Sequence, residues 1–141
     1  MELPALKVGK PRPTPVVRGG ITRLIIAGPR DYYDQEKVFR DIHTFQGKFG
    51  IDEIISGGAS GVDKLAEEYA FLHQIPFKLF QADWEKYGKA AGPIRNRKMA
   101  EYANALLAFD KGTKGTRNMI QMARKYHLRG IIVEIGKEVM G

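Results

Sequence analysis

The alternation of short apolar runs with longer segments of helical period constrains this chain most. Residues 22–27 (TRLIIA), 53–56 (EIIS), 76–80 (PFKLF), 105–109 (ALLAF) and 130–135 (GIIVEI) are apolar runs of strand length. Runs of this kind suit strands buried on both faces. Between them, Val38, Ile42, Phe45 and Phe49 recur at i, i+4, i+7 and i+11, the stripe of a helix that Asp34 can cap and Gly47 or Gly50 can end. Val62, Leu65, Ala66, Tyr69 and His73 share one face of a helix expected over 60–73. Gly92-Pro93 suits the opening of another, because proline costs nothing in a first turn. Met119, Ile120, Ala123 and Tyr126 point inward from a last helix over 116–127. Residues 81–92 show no period and read as a long loop. Strands alternating with amphipathic helices imply right-handed crossovers. The expectation is an α/β fold: a Rossmann-like three-layer α/β/α sandwich with a five-stranded parallel sheet.

The 141 residues fit one such domain, read as 21–141, preceded by a basic arm over 1–20. That arm holds Pro4, Pro11, Pro13 and Pro15 and ends in Gly19-Gly20, a composition that leaves little to bury and reads as flexible or extended. Lys7, Lys10, Arg12 and Arg18 give it part of the formal charge of +7, which favours anionic partners without choosing among them. Cysteine is absent, which excludes disulfides, thiolate metal sites and cysteine nucleophiles and suits a cytoplasmic setting. No apolar run approaches the roughly 18 residues that span a bilayer, and the N-terminus lacks the apolar stretch of a secretory signal. No membrane partner is expected. His43, His73 and His127 have no metal spacing, so neither a metal nor a resident cofactor is expected.

In such a fold ligands bind beyond the carboxyl ends of the strands, so the residues just after each strand carry the functional reading. After the first strand comes Gly28-Pro29-Arg30, where the planar guanidinium fork matches phosphate, or else pairs with Asp31 or Asp34. After the second comes Ser56-Gly57-Gly58-Ala59-Ser60-Gly61-Val62-Asp63. Glycines here permit a sharp turn and close approach of an anion, and the helix start offers free N–H groups. The pattern is neither a P-loop nor G-x-G-x-x-G, and the glycines could equally serve only a tight turn. Ser60-x-x-Asp63 fits a capping box, although Asp63 could instead accept a ribose hydroxyl or hold a metal. Trp84 lies among Lys86, Tyr87 and Lys89, a set that can stack a base or simply anchor the loop. Arg95 and Asn96 fall in the expected first turn of the next helix. The fourth strand runs into Asp110-Lys-Gly-Thr-Lys-Gly115-Thr116, a second glycine- and hydroxyl-rich junction where Thr116 can cap and Thr113 can reach a phosphate.

Taken in order, Gly28-x-Arg30, Ser56-Gly-Gly-Ala-x-Gly-x-Asp63, Ala82-Asp-Trp84, Ala91-Gly-Pro-x-Arg-Asn96 and Gly115-Thr116 resemble the SLOG superfamily, and best its small YspA-like branch, over about 22–135. The resemblance implies a Rossmannoid fold that binds nucleotides or nucleotide-derived ligands. It implies a site made of Arg30, Gly57, Gly58, Ser60, Gly61, Asp63, Arg95, Asn96, Gly115 and Thr116, to which the strand-end reading adds Gly28, Ala59 and Trp84. The superfamily includes phosphoribohydrolases with a Pro-Gly-Gly-x-Gly-Thr-x-x-Glu signature. Here Lys111-Gly-Thr-Lys-Gly-Thr-Arg-Asn-Met119 puts methionine where that catalytic glutamate would stand, leaving Asp63 or Asp110 as substitutes. A further relative, DNA-processing protein A, carries similar Gly-x-Arg and Arg-Asn-Arg elements, matched here by Arg30 and Arg95-Asn96-Arg97.

The leading expectation is therefore a nucleotide-binding module or sensor without an assigned catalytic residue. The alternatives are a hydrolase of nucleotide N-glycosidic or phosphoester bonds and a binder of single-stranded nucleic acid, with a homo-oligomer allowed in each case.

Overall fold

The computed structural model describes residues 2–6 and 20–136. Five strands form one parallel sheet in the order β3-β2-β1-β4-β5: β1 (Arg23–Ala27), β2 (Glu53–Ser56), β3 (Phe77–Leu79), β4 (Ala105–Asp110) and β5 (Arg129–Glu134). Successive side chains on a strand point to opposite faces, and both faces here are apolar. Leu24, Ile26, Ile54, Leu107 and Phe109 lie beneath α1 (Gln35–Phe49) and α2 (Val62–Leu72). Ile25, Ala27, Ile55, Leu106 and Ala108 lie beneath α4 (Ala91–Tyr102) and α5 (Lys114–Lys125). Helices on both faces of a parallel sheet make the expected Rossmann-like three-layer sandwich. The central strands β1 and β4 are buried almost throughout, which is why their sequences are unbroken apolar runs.

Asp34 caps α1 by accepting the Lys37 N–H at 3.1 Å, and Gly50 ends it at φ +77°. Elsewhere the ends of elements depart from expectation. The stretch over 81–92 is not a plain loop. Asp83 caps a one-turn helix, α3 (Trp84–Tyr87), and a 3-10 turn at Gly88–Ala90 leads directly into α4. One turn is too short to display a period. Helix α2 begins at Val62 rather than at Ser60, and α5 begins at Lys114 with Thr113 as its N-cap rather than Thr116. Tyr126 is the C-cap of α5 and packs, half-buried, against the core as expected, whereas His73, placed on the α2 face with Tyr69, is the C-cap of α2, exposed, and stacks on Tyr69 at 4.0 Å.

The first residues do more than the arm reading allowed. The Pro4 carbonyl accepts the Gly130 N–H at 2.9 Å, Arg129 Nη1 donates to the Leu3 carbonyl at 3.0 Å, and Ala5 bridges antiparallel to Arg129. Leu3 and Leu6 pack against the two halves of the core. Proline lacks a donor but keeps its acceptor, so it can still cover the open edge of β5. The rest of the proline-rich arm, 7–19, and residues 137–141 lie outside the described residues. Among the described residues no helix is long and apolar enough to cross a membrane.

Candidate functional site

Strand order reverses between β1 and β4. The chain leaves β1 toward α1 on one face of the sheet and leaves β4 toward α5 on the other, so the two exit loops diverge and open a crevice. A cleft of about 450 Å³ occupies this position. Its floor is Ile26, Met99 and Met119; its walls come from the ends of β1 and β2 and the starts of α4 and α5. Of the sequence-predicted site residues, Gly28, Arg30, Gly57, Ala59, Asp63, Arg95, Asn96, Gly115 and Thr116 stand on its wall. Gly58, Ser60, Gly61 and Trp84 do not.

The loop between β2 and α2 is built differently from the open anion cradle that its glycines suggest. Gly58 donates its N–H to the buried Ser56 hydroxyl at 3.1 Å, and Ala59 donates its N–H to Asp63 Oδ2 at 3.1 Å. The Val62 N–H goes to the Pro29 carbonyl at 3.2 Å. These amides are already committed to partners within the chain. The capping box does not form either: Ser60 Oγ donates to the Arg30 carbonyl at 2.8 Å, and Gly61, at φ +70°, is the N-cap without a side-chain bond. The left-handed turn at Gly61 sets the loop against the strand-1 exit, where Ser60 meets a carbonyl instead of the helix end. Asp63, one residue inside α2, folds its carboxylate back onto the loop and stands 8% exposed at the cleft wall. Burial raises its pKa to about 6, opposed by the bonds from Ala59 and Gly57 and by the positive charges of Arg95 and Arg30.

Arg95 is half-buried. Its Nη1 donates to the Gly57 carbonyl at 2.7 Å and its Nε to Asn96 Oδ1 at 2.9 Å. A Cβ on Gly57 would meet the guanidinium at 2.6 Å, so the glycine makes room for the arginine rather than for a ligand. Burial lowers the Arg95 pKa; the Asp63 carboxylate opposes this and the neighbouring Arg30 charge adds to it. Asn96, buried within the site, donates through Nδ2 to Asn118 Oδ1 at 2.9 Å and so ties Arg95 to α5. Because α4 begins at Ala91, Arg95 and Asn96 sit in its second turn, not its first. Arg30 is exposed on the cleft wall. Neither carboxylate that could have neutralised it does so: Asp31 pairs with Lys111 at 2.8 Å, and Asp34 caps α1. Among the described residues no ion pair engages Arg30.

The start of α5 completes the wall. Thr113 makes no side-chain cap bond; its hydroxyl donates to Thr116 Oγ1 at 3.0 Å. The first-turn amides of a helix have no internal acceptor and carry the positive end of its dipole. Here that end opens on the cleft through Thr113, Lys114, Gly115 and Thr116. Asp110, a candidate substitute for the missing glutamate, is occupied elsewhere, accepting from the Gly112 N–H at 2.8 Å and Arg117 Nε at 3.1 Å. Met119 lies on the floor, so the position of that glutamate faces the cleft with no charge. Trp84 is 54% exposed, and its ring edge lies over Gly92 at the start of α4.

Sequence reasoning missed Lys114, Asp31 and Asn118. Lys114 was legible as a cation at a strand-to-helix junction. Asn118 was not, because its role depends on Asn96 arriving from another helix. Among the described residues no group of His, Cys, Asp and Glu could hold a metal ion.

The gene 61 protein of Mycobacterium phage D29 is 34% identical to this chain over 112 residues, which take in 73% of this chain and 89% of that protein. The sequence profile of the YspA, cpYpsA-related SLOG family matches residues 22–87. The chain belongs to the YspA, cpYpsA-related SLOG family. The family match runs from β1 to α3 and includes Arg30 and the Gly57–Asp63 loop; Arg95, Asn96 and the start of α5 lie beyond it. DNA processing protein A from Streptococcus pneumoniae has the same fold, with a TM-score of 0.65 at 16% identity, over 85% of this chain and 52% of that one. This SLOG chain therefore spans about half the length of that protein.

Proposed function

We propose that the cleft binds a nucleotide or nucleotide-derived ligand, with its phosphate held by the first turn of α5 and by Arg30 and Arg95, and that the protein works as a binding module or sensor. The observation that carries this reading is a pair of guanidinium groups, Arg30 and Arg95, on the wall of one cleft beside the first turn of α5, with Asp31 next to Arg30 in the chain taken by Lys111. Like charges held together at a helix N-terminus suit an anion. The volume, about 450 Å³, lies within the range of small-ligand pockets. The phosphate position differs from the sequence expectation. We assign it to the α5 junction, because the Gly58, Ala59 and Val62 amides of the glycine loop are already bonded within the chain. The expected outcome for Arg30→Ala is a loss of roughly 1.5–3 kcal/mol in mononucleotide binding by calorimetry, the scale of a charged hydrogen bond. Arg97→Ala is the control, since Arg97 is exposed and pairs with Glu101 at 3.4 Å. Equal affinities in the two variants would contradict the clamp.

One observation favours a second reading, hydrolysis of an N-glycosidic or phosphoester bond. A buried carboxyl with a pKa near 6 suits general acid–base work at neutral pH. On that reading base or phosphate is released from a nucleotide panel, and the release is lost in Asp63→Asn. Intact nucleotides after prolonged incubation with the native chain would leave binding alone.

The nucleic-acid reading gains no comparable support. The basic residues it drew on in the arm lie outside the described residues.

A further inference from the structure

Two arginines, the first turn of α5 and one buried carboxylate, Asp63, stand on the wall of the same cleft. Building on the binding reading above, we propose that Asp63 is a specificity-determining residue, which accepts hydrogen bonds from a donor group of the ligand, such as a ribose diol, and excludes a second phosphate from the glycine-loop half of the cleft.

The argument starts from how Asp63 is held. Oδ2 takes the Ala59 N–H, yet no ion pair ties the carboxylate to Arg95 or Arg30, which act on it only through their fields. A carboxylate has room for about four donors, and the loop amides fill only part of that capacity. Asp63 stands on the cleft wall with Gly57 and Ala59. A carboxylate buried to this degree opposes folding, because burial disfavours its charge. Structural purpose alone does not require it: the loop amides it holds need an acceptor, and an amide side chain of the same size supplies one. What only a carboxylate adds is a negative charge inside the cleft. That charge repels phosphate from the very amides that a glycine loop offers an anion in related architectures, and attracts hydroxyl or amino donors in its place. A ligand that satisfies both the cations and Asp63 carries one phosphate and a hydrogen-bond donor. Ribonucleoside monophosphates have this pattern; bisphosphates spanning the cleft do not.

The test measures binding of a panel of ribonucleoside monophosphates, the dideoxy analogues that lack both ribose hydroxyls, and inorganic pyrophosphate. In the native chain the hydroxyl-bearing compound is expected to bind roughly tenfold or more tightly than its dideoxy partner, the scale of a hydrogen bond to a charged group. In Asp63→Asn the ratio is expected to fall to about threefold or less, and pyrophosphate affinity to rise, while Arg30→Ala weakens both compounds and leaves the ratio unchanged. The ratio in the native chain is a readout that needs no variant to fold. Binding of both compounds with equal affinity in the native chain, or an undiminished ratio in Asp63→Asn, overturns the role of Asp63 while leaving the binding reading intact. Failure of every phosphate compound to bind overturns that reading, and this inference with it.

Discussion

Gly61→Ala is expected to destabilise the fold by roughly 3–5 kcal/mol, the largest effect of any single methyl group added near the site. Two penalties combine. Gly61 has φ +70°, a left-handed conformation that costs an L-residue about 1–2 kcal/mol. The added Cβ would also collide with backbone, at the Pro29 carbonyl and the carbonyl of Arg30. Backbone cannot swing aside as a side chain can, so the strand-1 exit would have to move away from α2. That movement breaks the Val62 N–H bond to Pro29 and the Ser60 bond to Arg30. With domain stabilities of about 5–15 kcal/mol, such a loss leaves little margin. Urea unfolding measures it. The internal comparison is Gly47→Ala: this glycine lies in α1 with nothing within 4 Å of the new Cβ, so alanine there should stabilise by about 0.5–1 kcal/mol. Similar midpoints for the two variants would refute the proposed clash.

The second large effect is a pH-dependent gain in stability from Asp63→Asn. Unfolded, Asp63 titrates near 3.8; folded, near 6. Below 3.8 the carboxyl is protonated in both states and burial imposes no charge penalty. Between the two values the unfolded chain releases its proton first, so native stability falls as pH rises. Above about 6 the group is ionised in both states and the whole penalty applies, roughly 3 kcal/mol at about 1.4 kcal/mol per pKa unit. Asparagine has no proton to lose and keeps an oxygen for the Ala59 N–H. The stability difference between variant and native chain should be near zero at pH 3.5 and grow through the window to pH 7. Other titrating groups cancel in that difference. A constant difference across the window would mean that Asp63 is not buried as an acid.

Both predictions meet at the loop between β2 and α2, and they explain why that loop was only half legible. Its glycines marked a sharp turn and close packing, and both are found: Gly61 against the strand-1 exit, Gly57 against Arg95. Its free amides were inferred from the same glycines, and there the structure differs at Gly58, Ala59 and Val62, whose N–H groups have acceptors within the chain. Whether an N–H is free depends on which acceptors the fold brings near it, and for Ala59 the acceptor was Asp63, turned back from the next helix. Trp84 stands outside the cleft for a related reason. Aromatic residues beside cations suit base stacking, but the ring lies over the start of α4, a helix that begins earlier than its sequence suggested.

The sequence by itself determined the layers. Unbroken apolar runs at strand length and stripes at helical period allow no other economical burial than a parallel sheet between helices, and right-handed crossovers then fix where a ligand can enter. Local chemistry also determined single ends, such as Asp34 at α1, because a cap depends on residues only three apart. Tertiary structure alone decided the sheet order, the pairing of Asp31 with Lys111, the tie from Arg95 through Asn96 to Asn118, and the gathering of Arg30, Asp63 and Arg95 on one cleft. Each of these joins residues from separate elements. Charge and hydrogen-bond balance in a crevice is a property of neighbours in space, which periodicity along the chain does not encode.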